Sequence, residues 1–394
     1  MADITDTSQL DHTHEGARTN GKAVEGMEPG GRNDPLAKVL EWDRGTAYEI
    51  LFSLHTILRP KEHGIPAPWA AGVRKRLSQQ SQADLKLFFS MPFGYLAYSP
   101  MHIILGMERP KNVKRFLDLV EKIPDDEFSH RVHLPIVGDE SLKRLMDKAA
   151  LGKRMSDVDV EEYRRIIAMS AGRSAPTATE IRKLFAEMGD SAGTKRRWLS
   201  LLREYHAVYF AEEEKRVGPV LEKMVSDAQK LAKKTTVPDL IERLSNGFTL
   251  SQDFALQRLV LVPSVWNHPF VVRFEPSDNE YFVAWGAHPP GYRLVPGETV
   301  PDDALLVLRA LSDPTRLRLL RLLSAEPRSP QSLAIELKLS LPTVSHHMRE
   351  LRIAGLIRIE VAGKGRENKY TVRWPSAQRA FEQLEEFVLR SGEE

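Results

Sequence analysis

Residues 340–353 combine polar and aliphatic side chains in the most informative pattern of the chain. Val344, Met348 and Leu351 recur at helical spacing and would hold one face of a helix against a core. The polar residues of the opposite face, together with the serine that precedes the helix, are Ser340, Thr343, Ser345, His346, His347 and Arg349. Their hydroxyl, imidazole and guanidinium groups suit base edges and phosphates, and the major groove admits such a helix. We predict that these six residues contact double-stranded DNA.

Two further helices are needed to position this one. Asp313 is a good N-cap and Pro314 a good first residue for a helix that ends near residue 325. Its inner face is predicted to be Leu317, Leu320 and Leu323. Ser329 caps a second short helix, and a tight turn at 338–340 leads into the helix described above. Two short helices joined in this way form a helix-turn-helix.

A hairpin is predicted directly after these helices. Gly355 stands where a left-handed residue would end the last helix. The strands that follow would pair Leu356, Ile357, Ile359 and Val361 with Tyr370 and Val372. The glycine-rich tip between them carries Lys364, Arg366 and Lys369, which we expect to contact the DNA backbone or a minor groove. Residues 302–374 hold 13 Lys and Arg against 8 Asp and Glu, whereas the whole chain has a net charge of +2. Positive charge is thus concentrated in this segment, as salt-sensitive DNA binding requires.

In order and spacing, SDPTRLRLLRLLS, SLPTVSHHMRELRIAGLI, GKGREN and KYTV resemble the winged helix-turn-helix of ArsR-type bacterial repressors. The resemblance covers roughly residues 302–374 and implies a homodimer. It also implies that Ser345, His346 and His347, with Arg366 of the wing, lie near DNA. The preceding part of the chain resembles the uncharacterised domain that is fused to such winged helices in some Gram-positive bacterial regulators.

The chain departs from the metal-sensing members of that family. SPQSLAIEL, before the turn, has no cysteine pair, and the C-terminal helix SAQRAFEQLEEFVLR has no histidine. His346 and His347 are adjacent, so on a helix they point about 100° apart and cannot chelate one metal ion as an i, i+4 pair does. We predict no metal site and no cofactor. His12 and His14, in the N-terminal tail, are at most a weak metal-binding pair.

The fold class predicted for the chain is α+β. Residues 1–35 read as a flexible tail, and residues 36–296 as a large, mainly helical domain with a small antiparallel sheet. Helices are predicted from Thr46 to just before Pro60, at 81–89, 111–122, 158–170 and 176–188, and from Lys195 to about Gly218. Strand-like runs follow at 259–262, 270–273 and 281–283. A Pro- and Gly-rich stretch places the domain boundary near 297, with a winged helix at 297–374 and a dimerisation helix at 375–394.

Composition excludes several classes of protein. The chain has no cysteine, which rules out disulfides, thiolate metal sites and cysteine nucleophiles. It has no apolar run of 18 residues and no signal peptide, so we expect a cytoplasmic protein that does not enter a membrane. No phosphate-binding loop, dinucleotide fingerprint, HExxH or GxSxG motif is present, and we predict that the chain is not an enzyme.

A set of aromatic residues in the upstream domain has both a structural and a functional interpretation. Aromatic residues in the sheet region either build a core or line a ligand pocket: Trp266, Phe270, Phe274, Tyr281, Trp285 and Tyr292. Three consecutive glutamates at 212–214 are expected to face solvent. The upstream domain is the natural place for a small-molecule effector.

These patterns predict a sequence-specific transcriptional regulator. It would be a dimeric repressor that binds a palindromic operator through the C-terminal winged helix. One alternative is an enzyme in residues 36–296 that the winged helix tethers to DNA. Another is a protein-interaction scaffold that binds no nucleic acid.

Overall fold

The computed structural model describes residues 34–90, 95–133, 139–171, 176–251, 255–277, 279–289, 292–295, 302–361 and 367–389. The predicted tail up to residue 33, the boundary near 297 and two wing residues, Lys364 and Arg366, lie outside these ranges. We call residues 34–295 the upstream region and residues 302–389 the C-terminal region. None of the helices in the described ranges is long and apolar enough to span a membrane.

The upstream region is mainly helical, as predicted. Its α-helices are α1 Thr46–Leu58, α2 Ala67–Arg74, α3 Gln79–Ser90, α4 Tyr95–Tyr98, α5 Met101–Gly106, α6 Val113–Glu121, α7 Phe128–Val132, α8 Glu140–Ala150, α9 Asp157–Ala171, α10 Ala178–Gly189, α11 Ser191–Tyr205, α12 Ala211–Ala232 and α13 Val237–Leu244. Two 3-10 helices cover Pro35–Lys38 and Pro60–His63, and a π-helical turn at His206–Phe210 joins α11 to α12. The strands are β1 Leu40–Trp42, β2 Phe248–Leu250, β3 Arg258–Ser264, β4 Val271–Phe274 and β5 Glu280–Gly286.

Helix α1 forms the centre of the upstream core. It is apolar on nearly all sides, and ten of its thirteen residues are buried, as expected of a helix that other helices surround. It contacts α3, α4, α6, α12 and strand β3. The buried carboxylate of Glu49 accepts hydrogen bonds from the backbone N–H groups of Val265 and Trp266, both at 3.1 Å, and so ties α1 to the end of β3.

The upstream sheet is mixed, which corrects the predicted antiparallel arrangement. Its order is β1-β3-β5-β4, and only β4 and β5 pair in antiparallel fashion. Strand β1 pairs with β3, and β3 with β5, in parallel. The helices of the main core pack on one face of the sheet. The C-terminal end of α12 and helix α13 pack on the other face. Successive residues of β3 and β5 are therefore buried on both sides. Such strands lack the alternation by which an antiparallel, half-exposed sheet is recognised.

The aromatic residues of the sheet region are divided between the two faces of this sheet. Trp266 is buried in the main core and Phe274 and Tyr292 pack against it, whereas Tyr281 and Trp285 are buried in a second core on the opposite face. The packing therefore favours the structural interpretation for these five residues, and Phe270 lies outside both cores.

The three consecutive glutamates do not share a solvent-exposed face, contrary to prediction. Glu212 is exposed, but Glu213 is buried, where it accepts a hydrogen bond from Nε1 of Trp266 at 3.1 Å. Glu214 bonds to Nε2 of His206 at 2.8 Å. The π-helical turn shifts the helical register at this point, which a 3.6-residue pattern does not anticipate.

The C-terminal region has the order of a winged helix-turn-helix. Its elements are α14 Asp302–Leu311, α15 Pro314–Ala325, α16 Pro330–Leu337, α17 Leu341–Ile353, β6 Ile357–Val361, β7 Lys369–Val372 and α18 Trp374–Leu389. A separate apolar core joins these helices, and Leu320 and Leu323 contribute to it as predicted. Leu317 was predicted to face inward, but it is 49% exposed. Leu319 is buried in its place, because the inner face of α15 is turned by about 50° around the helix axis from the predicted one.

The two regions share a β-sheet. Strand β2 pairs in parallel with β6, and β6 pairs with β7 in antiparallel fashion. Phe248 lies opposite Ile359, and both side chains are buried in the second core together with residues of β3 and β5. The edge of the wing hairpin is thus covered by a strand of the upstream region.

Candidate nucleic-acid interface

A Schellman-type motif makes the turn between α16 and α17. Lys338 has a left-handed backbone, with φ of 54°. The N–H of Leu339 donates to the carbonyl of Ala334 at 3.0 Å, and that of Lys338 to the carbonyl of Ile335 at 3.2 Å. These two bonds satisfy carbonyls at the end of α16. Because Leu339 packs against the C-terminal core, the direction of α17 is fixed where the helix starts.

Ser340 caps α17, so its hydroxyl has a structural role in addition to the predicted contact with DNA. The oxygen accepts from the backbone N–H of Thr343 at 3.3 Å and lies 2.7 Å from the hydroxyl of Thr343. Pro342 occupies the first turn, where it needs no hydrogen-bond donor. The cap holds the N-terminal turn in helical form, and both hydroxyl-bearing residues are exposed.

The inner face of α17 is the one predicted, and only part of the predicted outer face is exposed. Val344, Met348 and Leu351 are 0%, 2% and 0% exposed and belong to the C-terminal core. Thr343 and His346 are exposed, while Ser345 is partly buried. An N-terminal polar surface is therefore open to solvent at the end of the helix that enters a groove in helix-turn-helix proteins.

His347 lies at the side of α17 and faces α15. Its side chain is only 16% exposed, and Nδ1 is 3.8 Å from Oδ1 of Asp313, the residue that caps α15. Burial lowers the pKa of His347 below its usual value, although Asp313 opposes the change. The two adjacent histidines thus have different surroundings, since His346 faces solvent and His347 packs between helices.

Arg349 is engaged by the upstream region. Its guanidinium donates to Oε2 of Glu62 at 2.7 Å and lies over the ring of Phe270, 5.5 Å from the ring centroid. Both charged side chains are about two-thirds buried. Burial alone would raise the pKa of Glu62, but Arg349 together with Arg59 holds it below its usual value. Glu62 is therefore ionised at neutral pH, and its bond to Arg349 attaches the C-terminal half of α17 to the 3-10 helix at Pro60–His63.

The base of the wing is attached to the upstream region as well. The N–H of Ile359 donates to the carbonyl of Gly247 at 2.8 Å, and that of Ser251 to the carbonyl of Val361 at 3.0 Å. Arg358, on β6, forms an ion pair with Glu242 at 3.0 Å. Lys369 is exposed on β7.

Ion pairs within the protein use many of the cations that give the C-terminal region its surplus charge. In the part of the region that the structure describes, carboxylate partners lie within 4.0 Å of Arg316, Arg328, Arg349, Arg358 and Arg373, among others. Arg318 and Arg321 are exposed on the outer side of α15. Lys338 is exposed in the turn directly before α17.

Comparison with known proteins finds a matching family model in each of the two regions. Residues 47–279 match the model of the family of unknown function DUF5937, and residues 311–360 match that of a helix-turn-helix domain. The chain belongs to the DUF5937 family. It is also 36% identical over 67 residues to an uncharacterised HTH-type transcriptional regulator of Methanocaldococcus jannaschii, a stretch that covers 17% of this chain and 70% of that protein. No solved structure matches the chain. The helix-turn-helix domain and its uncharacterised upstream partner are confirmed, while the narrower ArsR assignment stays a prediction.

The DUF5937 segment contains the partners of the C-terminal region that sequence patterns did not reveal. Glu62, Glu242, Phe248 and Phe270 all lie within residues 47–279. None of them stands in a motif that points to α17 or to the wing. Lys338 could have been recognised from the sequence, because a cation immediately before the helix of a helix-turn-helix is a candidate phosphate contact.

Proposed function

We propose that this protein is a DNA-binding transcriptional regulator of the DUF5937 family whose helix α17 reads base edges in a major groove. The observation that carries the proposal is the exposed N-terminal surface of α17, with Thr343 and His346 outward and Val344, Met348 and Leu351 inward. The match to a helix-turn-helix domain over residues 311–360 supports it, as does the similarity to a protein described as a transcriptional regulator.

The proposed contacts fall into two groups. Thr343, Ser345 and His346 face base edges, whereas Ser340 faces the backbone at the entrance of the groove, together with Lys338, which was not among the predicted contacts. The wing residues Lys364 and Arg366, with Lys369 at its base, supply further phosphate contacts. His347 contributes to the packing of α17 against α15 rather than to recognition.

Arg349 contacts either Glu62 or DNA in this proposal, but not both. Its guanidinium has five donors, yet the bond to Glu62 and the ring of Phe270 direct it away from a groove on the N-terminal side of α17. DNA binding then competes with the upstream region for this side chain. An effector bound in the upstream region would act by shifting Glu62.

A homodimer is the second part of the proposal. In α18, Ala377 and Ala380 are buried in the C-terminal core, where the helix packs on α14. Trp374 and Phe381 are 50% and 41% exposed, and they offer the outer face of α18 to a second copy. Twofold symmetry would present two copies of α17 to a palindromic operator with half-sites about 34–36 Å apart. Binding at a promoter would exclude polymerase, so we propose repression.

The two histidines of α17 provide the test. We expect His346→Ala to lose the preference for the protein's own upstream DNA over competitor DNA, because each specific base contact contributes about 1–3 kcal/mol. His347→Ala should keep that preference and lower the free energy of unfolding instead. Fluorescence anisotropy with operator and competitor DNA, over a range of salt concentrations, separates the two effects.

Alanine at Lys364 and Arg366 is the matched comparison, since it should weaken binding to all sequences alike. If His346→Ala bound operator and competitor with an unchanged ratio, α17 would not read the operator as proposed.

A further inference from the structure

Two imidazoles and one carboxylate meet between α7 and α8. His130 lies in α7, His133 directly follows it, and Asp147 lies in α8. Nδ1 of His130 is 3.7 Å, and Nε2 of His133 is 3.5 Å, from the same oxygen, Oδ1 of Asp147. One possible ligand atom of each residue lies within 4.8 Å of those of the other two.

These separations suit ligands of one metal ion better than hydrogen bonds. A hydrogen bond from an imidazole N–H to a carboxylate would bring the atoms to about 2.7–2.9 Å. Tetrahedral zinc, with bonds of about 2.0–2.1 Å, separates its ligand atoms by about 3.4 Å. The distances of 3.5 Å and 3.7 Å thus need adjustments of only a few tenths of an ångström to enclose an ion.

His133 provides an independent indication of a ligand. Its side chain is 10% exposed, yet neither ring nitrogen has a hydrogen-bond partner among the described residues. A buried polar atom left without a partner costs about 1–3 kcal/mol, so buried polar groups nearly always have one. A metal ion bound to one of these nitrogens removes that cost for the atom it binds.

The residues around the three side chains leave the proposed metal position open to solvent and determine which atoms can be ligands. His130 is 55% and Asp147 31% exposed, so a cation can enter from solvent and keep a water molecule in its remaining position. The ammonium of Lys143 is 3.5 Å from the other oxygen of Asp147, which leaves Oδ1 for the two imidazoles. His102 is not a candidate ligand, because its two ring nitrogens lie 2.6 Å and 2.9 Å from the carbonyls of Ser99 and Arg131.

We propose that His130, His133 and Asp147 bind one zinc ion, which joins the end of α7 to α8 in the upstream region. Two imidazoles and a carboxylate suit zinc and its neighbours in the first transition row, whereas calcium and magnesium prefer sites made of oxygen alone. This site revises the prediction that the chain binds no metal. It is independent of the proposed function, because it involves no residue of α17 or the wing.

The test is a titration of the full-length chain, freed of metal with a chelator, with zinc chloride in competition with a chromogenic chelator. We expect one zinc ion per chain, and an absorption spectrum typical of tetrahedral coordination when cobalt(II) replaces zinc. His130→Ala and Asp147→Asn should each weaken zinc binding more than about tenfold. The first change affects an exposed side chain, and the second keeps the shape of the residue, so both variants should fold.

The control removes His12 and His14, the pair predicted from the sequence to be at most weakly metal-binding. His12 and His14 lie outside the described residues, and replacing both with alanine should leave zinc binding unchanged. Loss of binding in that control, with binding retained in His130→Ala and Asp147→Asn, would overturn the proposal. So would a full-length chain that takes up no zinc, since the three residues would then form only an ordinary His–Asp ion pair. DNA is not used in these experiments, so their outcome is distinct from that of the operator test.

Discussion

The contact between Glu62 and Arg349 leads to a counterintuitive prediction: removing a charge far from the DNA-reading surface should tighten DNA binding. In Glu62→Gln the side chain keeps its size but loses the negative charge that holds the guanidinium at 2.7 Å. Arg349 is then released toward DNA, and the variant should bind operator more tightly than the wild type.

The magnitude follows from the burial of the pair. Two unit charges 4 Å apart attract by about 1 kcal/mol in water and about 4 kcal/mol at an effective dielectric constant of 20, and exposed pairs measure about 0–1 kcal/mol. Glu62 and Arg349 retain 33% and 28% exposure, so we assign the pair about 1–2 kcal/mol. If DNA binding must first break it, its removal increases the apparent affinity by roughly 5- to 30-fold.

A double-mutant cycle measured by fluorescence anisotropy tests this reasoning. Wild type, Glu62→Gln, Arg349→Ala and the double variant are titrated with labelled operator at one salt concentration. We expect Glu62→Gln to gain about tenfold in affinity and Arg349→Ala to gain nothing. The double variant should bind like Arg349→Ala, because the change at Glu62 acts only through that side chain.

Two results would contradict the prediction that the Glu62–Arg349 pair competes with DNA. If Glu62→Gln bound operator no more tightly than the wild type, the ion pair would not compete with DNA. If the same gain appeared in the Arg349→Ala background, the effect would come from long-range attraction between DNA and a less negative protein.

Three further predictions concern the stability of the fold. Burial raises the pKa of Glu49 from its usual 4.5 to about 8, so the folded state keeps a proton that the unfolded state releases above about pH 4.5. The free energy of unfolding should therefore fall by a few kcal/mol between pH 5 and pH 8, since each pKa unit is worth about 1.4 kcal/mol. Urea denaturation should show no such fall in Glu49→Gln. The same pH profile in the wild type and in Glu49→Gln would contradict this prediction. Phe248→Ala should lower the free energy of unfolding by about 3–5 kcal/mol. It should also lower the hydrogen-exchange protection of the Ile359 amide, which bonds to the carbonyl of Gly247 across the shared sheet. Unchanged protection would mean that β2 does not stabilise the wing. Gly355→Ala should lower the free energy of unfolding by about 1–3 kcal/mol, because φ is +68° and the new Cβ would overlap the side chain of Asn246. Gly218→Ala is the control and should not destabilise the protein, because its new Cβ would meet no described side chain within 4 Å.

Local features of the helix-turn-helix could be predicted because a few adjacent residues determine each of them. Asp313 and Ser329 cap their helices as expected, and Gly355 has the left-handed backbone that ends α17. A cap requires only a short polar side chain beside free N–H groups. The inner face of α17 was equally accessible, because helical periodicity relates Val344, Met348 and Leu351 directly to one another.

The errors of prediction have non-local causes. The sheet was predicted to be antiparallel because its strands follow one another closely, but β1 comes from more than two hundred residues earlier and pairs with β3 in parallel. Glu213 was placed in solvent because a π-helical turn altered the helical register. Leu317 was placed in the core because α15 offers alternating leucines, and spacing alone does not show which of them the neighbouring helices cover.

The amino-acid pattern alone was enough to predict a helix-turn-helix near the C-terminus and a larger, mainly helical region before it. The contacts between the two regions became visible only in the folded protein. It brings Glu62 to Arg349 across 287 positions of the chain, lays β2 along β6 and gathers His130, His133 and Asp147. Caps and helical faces are encoded within a few residues, whereas such pairings depend on which surfaces meet when the helices and strands pack, and no short pattern records that choice.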